Sequence, residues 1–280
     1  MALVLAGWAA LCYGVADFCG GFAARRSALL PVLVLSQAAG TLVAVVAALA
    51  LGQGACSRAD LGWGFLAGAT GSLGLFLLYG GLARSIVAIV SPASAMVAAI
   101  FPVLFGLLLG ERPPVPAVAG AALCFPAILL LTWEGDRTIR GGQAARAALG
   151  YGILAGLGFG CFFITLSRAH AQAGAWPLVA ARAASLTAFT GALLVSRQPF
   201  RVSRADLLPA LASGAADMGA NVLFLLAVHG GMLSLVAVIT SLYPAPTVLL
   251  AGIFMHQRVP PIRLAGLALA LAGVALISLR

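Results

Sequence analysis

Ten apolar runs, each near the length of a bilayer crossing, follow one another along this chain of 280 residues. They cover about 3–24, 31–51, 61–82, 86–109, 115–133, 148–169, 176–195, 205–228, 232–255 and 261–279. A membrane helix needs roughly 20 apolar residues, and the runs lack the strict alternation of a barrel strand. Inside hydrocarbon only a helix or a closed barrel satisfies its own backbone, so the runs predict ten transmembrane helices. Charged residues make up 8% of the chain, against about 25% for a soluble domain. The longest polar connection is 134–147, so the expected fold is all-α integral membrane with almost no mass outside the bilayer. The first run has no basic leader and no small-residue cleavage site, and reads as a retained span.

The chain repeats itself at an offset of 146 residues. Ser57-Arg58-Ala59-Asp60-Leu61 returns as Ser203-Arg204-Ala205-Asp206-Leu207, and the same offset pairs Gly106 with Gly252, Arg112 with Arg258, Pro114 with Pro260 and Gly120 with Gly266. Each copy holds five runs. An odd number of crossings inverts the second copy, which predicts two inverted five-helix repeats, 1–133 and 148–280, joined by the polar linker 134–147. Secondary transporters built this way place the substrate site between the repeats. Two runs at matching positions, 85–112 and 231–258, carry prolines and hydroxyls near their middles: Ser94 and Pro102 in one, Ser241, Pro244 and Pro246 in the other. Proline removes a donor and clashes with the preceding turn, so both spans are expected to bend or break.

Three charges fall inside apolar runs. Asp17 lies about 12 Å from the end of its span and Asp217 about 18 Å, at 1.5 Å per residue; Arg182 lies about six residues into its own. A charge at such depth costs about 2.5–3.5 kcal/mol or more, so these side chains should face a cavity or each other. Asp17 and Asp217 are candidate proton or cation sites, and Arg182 a counter-ion or anion clamp; the alternative is an Asp217–Arg182 pair with a structural role. Asn221 shares the face of Asp217, one turn on. Ser94, Thr240, Ser241 and Tyr243 stand near the expected breaks, where freed backbone groups and hydroxyls could bind a solute or merely bond their own helix. Trp8, Tyr13, Phe159, Phe162 and Phe163 are candidate cavity rings, although packing or lipid contact is the commoner role. Glu111, Arg112 and Arg258, at run ends, are candidate gating or anchor residues, and His170, His229 and His256 are expected at headgroups. Five scattered cysteines form no CxxC pair, so neither a disulfide nor a metal site is assigned. No Walker loop, HExxH or GxSxG is present, so any active transport is expected to be secondary.

Pro102 in its run, followed by Gly106 and by Gly110-Glu111-Arg112-Pro113, resembles the signature of the EamA-type drug/metabolite transporter superfamily. Tyr13-Gly14 with Asp17-Phe18 is similar to that family's aromatic-Gly-Ser-Asn-Phe pattern, and the Ser57–Leu61 loop also fits. The second copy keeps Arg258 but has Gln257 where the family carries glutamate. The resemblance covers nearly the whole chain as two tandem EamA-like domains. It implies a secondary transporter, an exporter or importer of small metabolites, amino acids or drugs with export the favoured direction, working by alternating access in the plasma (bacterial inner) membrane with proton coupling as an option. Implied partners are a small-molecule substrate and membrane lipids, with no nucleic acid, no cofactor and a monomeric or homodimeric state. The family's cytoplasmic termini conflict with the arginines: Arg58, Arg112, Arg168 and Arg280 fall on the N-terminal side and eleven others on the opposite side, which by the positive-inside rule puts the termini outside. The competing classes are a passive channel, which needs a polar ring around a pore, and a lipid-modifying membrane enzyme, for which Glu134 and Asp136 are the only close acidic pair.

Overall fold

With no water to bond it, the backbone of an apolar run closes on itself as helix. The computed structural model describes residues 1–51, 56–84, 87–132, 143–255 and 260–279, and these contain helices and no strands. In chain order they are α1 (Ala2–Ala24), α2 (Leu29–Leu51), α3 (Arg58–Arg84), α4 (Val87–Leu108), α5 (Val115–Leu131), α6 (Gln143–Ser167), α7 (Trp176–Ser196), α8 (Arg204–His229), α9 (Leu233–Thr240), α10 (Pro244–Phe254) and α11 (Pro261–Ser278). Eight stretches, with α9 and α10 taken together, are long and apolar enough to cross a bilayer; the shorter apolar Ala93–Leu108 and Val115–Leu131 complete ten crossings. Each crossing reverses direction. Met1, Ser57, Glu111, His170 and Gly230 therefore share one side, the N-terminal side, and Ser27 and Ser203 share the opposite one.

Two prolines account for the break in the ninth crossing. Pro244 and Pro246 cannot donate to Thr240 and Leu242, four residues back. The chain tightens through Ser241–Tyr243, where Leu242 N–H donates to Ile239 O at 3.1 Å and Tyr243 N–H to Thr240 O at 3.3 Å. Pro244 then opens α10, a position where the missing donor is not needed. Pro102 behaves differently, since α4 runs through it without interruption. The break expected in the fourth crossing is thus corrected. Pro102 deletes the bond of the Ala98 carbonyl, and the turns on either side remain helical.

The 146-residue repeat reappears in the packing. Gly68 on α3 backs onto the backbone of Ala181 on α7, with no space for a Cβ; Gly214 on α8 backs onto Ser36 on α2 in the same way. Gly120 on α5 meets Ile277 on α11, and Gly266 on α11 meets Leu131 on α5. At the level of whole helices, α1 packs along α8 as α6 packs along α3, and α3 along α7 as α8 along α2. The five-crossing halves therefore interleave rather than stand side by side. Lipid tails supply no hydrophobic drive between helices, and small residues that admit a neighbouring backbone supply van der Waals contact instead. The buried stripe of α1 is Ala6, Ala9, Ala10, Gly14, Ala16 and Ala23. Of the small-xxx-small pairs, Gly64 and Gly68 seat against α7, while Gly152 and Gly156 seat against α4.

Candidate functional site

A cavity of about 220 Å³ lies where the halves interleave. α1, α3, α4, α6, α8 and the α9–α10 turn all reach it, and so do α2 and α7, through Gln37 and through Arg182 with Ser185. Of the sequence candidates, Asp17, Arg182, Asp217, Asn221 and Tyr243 line it. Gln37, Ser72 and Ser185 join them without having been singled out. An amide or hydroxyl in an apolar run gives little sequence signal, because its usual role is to bond its own helix. Ser72 does so at the cavity wall, donating to Gly68 O at 2.7 Å.

Arg182 is the hub of a polar network. One Nη donates to Gln37 Oε1 and the other to Asp217 Oδ2. Ser185 Oγ donates to the same Gln37 oxygen at 2.8 Å. On α8, Asn221 Nδ2 donates to the Asp217 carbonyl at 2.7 Å and to Asp217 Oδ2 at 3.2 Å. Tyr13 on α1 closes the chain, its hydroxyl donating to Asn221 Oδ1 at 2.8 Å. The bonds thus run from α2 through α7 and α8 to α1, crossing between the halves twice. The Arg182 side chain is 7% exposed and that of Asp217 34%, so the guanidinium is a buried structural cation while its carboxylate faces the cavity. Gly40 lets α2 pass close by: a Cβ there would lie 3.1 Å from Arg182 Nε.

Asp17 stands apart. It is exposed to the cavity, and among the described residues it has no hydrogen-bond or ion-pair partner. Rings frame it: Tyr13 meets Tyr243 edge-on at 6.2 Å between centroids and Phe163 at 6.3 Å. Phe159, Phe162 and Phe163 also line the space, whereas Trp8 is exposed on the outer surface of α1.

The remaining candidates lie elsewhere. Ser94 is buried where α4 meets Gly152 and Gly156. Thr240 and Ser241 are buried beside the helix break, and among the described residues their hydroxyls find no partner, not even the carbonyls of their own helix. Pro246 rests on Gly14 of α1. Glu111 reaches from the α4–α5 turn to the start of α9, accepting from Leu233 N–H at 2.6 Å and Ser234 N–H at 2.9 Å; Arg112 beside it is exposed. Arg258, with His256, Gln257, Glu134 and Asp136, lies outside the described residues. His170 and His229 also bond protein groups: His229 Nε2 lies 2.8 Å from Ala169 O, and His170 meets Asp60.

That last contact belongs to the repeated Ser-Arg-Ala-Asp-Leu motif. Ser57 and Asp60 form a capping box at the start of α3, with Asp60 N–H donating to Ser57 Oγ at 3.1 Å and Ser57 N–H to Asp60 Oδ2 at 3.0 Å. The other carboxylate oxygen takes His170 N–H at 2.8 Å, with His170 Nδ1 at 2.9 Å. In the second copy Asp206 Oδ2 accepts from Ser27 Oγ at 2.7 Å, and Ser203 N–H donates to that hydroxyl at 3.1 Å. Each motif therefore holds a loop of the other half, the first on the N-terminal side and the second on the opposite side.

A bundle of ten apolar crossings, with charged side chains gathered around a cavity, is the architecture of a multi-pass membrane protein. The chain belongs to the EamA-like transporter family, whose model matches residues 139–279. A solved crystal structure, described only as that of a protein, overlays 99% of this chain and 96% of its own at a TM-score of 0.77 and 16% identity, a likeness of fold alone. No curated protein matches the chain.

Proposed function

We propose that this protein is a secondary transporter that exports small solutes across the plasma membrane by alternating access. The observation that carries the reading is the cavity, whose polar network is built from both halves, so that movement of one half against the other reshapes the binding surface. On the N-terminal side Glu111 ties the first half to α9, and Asp60 ties it to the loop at His170. On the opposite side Ser27 is tied to Asp206. Rocking would loosen the ties of one side while those of the other hold. Asp17, nearer the opposite side and without a partner among the described residues, is the foremost site for proton coupling, and the engaged Asp217 is second.

Purified protein in liposomes is expected to show saturable counterflow of its solute, a property of carriers that open pores lack. Under a pH gradient, Asp17→Asn is expected to lose the gradient's drive on transport. Full gradient-driven transport in both Asp17→Asn and Asp217→Asn would remove these carboxylates from the coupling step.

A further inference from the structure

The charge distribution in the cavity narrows the substrate class, given the transporter reading above. The cavity holds two carboxylates and one guanidinium. The guanidinium is buried and largely committed to protein groups: one Nη donates to Gln37 and the other to Asp217, and Nε, without a partner among the described residues, is buried beside Gly40. Asp217 is half spent, since Oδ2 accepts from Arg182 and Asn221 while Oδ1 has no partner among the described residues. Asp17 is unspent. A cavity with one cation engaged on both arms and a free carboxylate draws positive charge and repels negative. Its walls add to this preference, because the π-faces of Tyr13, Tyr243, Phe159, Phe162 and Phe163 attract cations and accept apolar bodies. Volume sets a size limit. At about 220 Å³ the space is below the roughly 300–1,000 Å³ of drug-sized sites.

We propose that the solute is a small organic cation, an ammonium group on an apolar or aromatic body, with Asp17 taking its charge and the rings taking its body. Arg182 then has no role as an anion clamp; it fixes Gln37 and Asp217 in place.

Three probes of one skeleton test this by titration calorimetry on the detergent-solubilised full chain: phenethylamine, 2-phenylethanol and 3-phenylpropionate. The amine is expected to bind at least about tenfold tighter than the alcohol, equivalent to about 1.4 kcal/mol, and the acid more weakly than either. Asp17→Asn is expected to erase the amine's advantage and leave the alcohol unchanged. The proposal is overturned if the acid binds as well as the amine, if the amine does not bind, or if Asp17→Asn holds the amine as tightly as the native chain. Should that variant not fold, the ranking of the three probes on the native protein decides alone. Counterflow in liposomes separates this proposal from the reading it rests on. Saturable counterflow of acids or zwitterions, with amines excluded, overturns the cation proposal and leaves the transporter standing. Absence of counterflow for solutes of every charge, by folded protein, overturns the transporter.

Discussion

Arg182 and Asp217 share an ion pair but not an environment. The side chain of Arg182 is 7% exposed and that of Asp217 34%. Removing one partner of a buried pair leaves the other charge uncompensated, at a cost of about 3–5 kcal/mol when both are fully buried. The cost here depends on which charge remains. Asp217→Asn strands a buried guanidinium and is expected to destabilise by about 3 kcal/mol; Arg182→Gln leaves a carboxylate that the cavity can hydrate and is expected to cost distinctly less. The double variant is expected to cost less than the two singles summed, because it leaves no charge stranded. Melting temperatures of the four proteins in detergent measure this, and equal losses for the two singles would contradict the assigned burial. These residues were legible from sequence because a charge in a twenty-residue apolar run is rare and expensive. Gln37 and Ser185 were not, because Gln37 takes its role from Arg182 and Ser185, each well over a hundred positions away.

Two helix starts depend on groups from the opposite half. Glu111 satisfies two of the N–H groups that α9 would otherwise leave unpaired, and its charge suits the positive end of that helix. Glu111→Ala is expected to cost about 1–3 kcal/mol and to raise amide exchange selectively at Leu233 and Ser234; unchanged protection there would remove the cap from the account. Asp60→Ala, on the same side, is expected to free the loop at His170 to proteolysis without altering the cavity, which limited digestion would detect. The ninth crossing shows how far sequence carries at this scale. Prolines at 244 and 246 announced a break, and one occurs. Pro102 gave the same kind of signal, and α4 continues through it, because the bond it removes is isolated, whereas Pro244 and Pro246 remove two bonds within one turn. The ties at Asp60 and Asp206 were visible only as a repeated pentapeptide. Their partners, His170 and Ser27, come from loops with no motif of their own, and tertiary packing alone brings them within reach.

At the level of the whole molecule the halves are mutually dependent. The third helix of each half packs chiefly on helices of the other, through glycines that leave no space for a side chain. Gly214→Val would push the α8 backbone away from Ser36 and is expected to cost about 1–3 kcal/mol, read as a lower melting temperature. A chain severed between residues 134 and 142 is expected to yield stable protein when both pieces are co-expressed, and degraded product when either is expressed alone. The ten apolar runs and the repeated motif were legible, since run length and a 146-residue offset need no three-dimensional knowledge. The interleaving was not, because apolar runs of alanine, leucine and glycine do not encode which neighbour they choose. Opposite orientation of the two copies underlies the shared cavity and the paired ties, and it can be tested directly. Arg58 and Arg204 occupy the same place in the repeated motif and are both exposed. In a chain whose five native cysteines have been replaced, Arg58→Cys and Arg204→Cys are each exposed to a membrane-impermeant maleimide in intact and inverted vesicles. One is expected to label only in intact vesicles and the other only in inverted ones; labelling of both from the same side would contradict the inverted repeat.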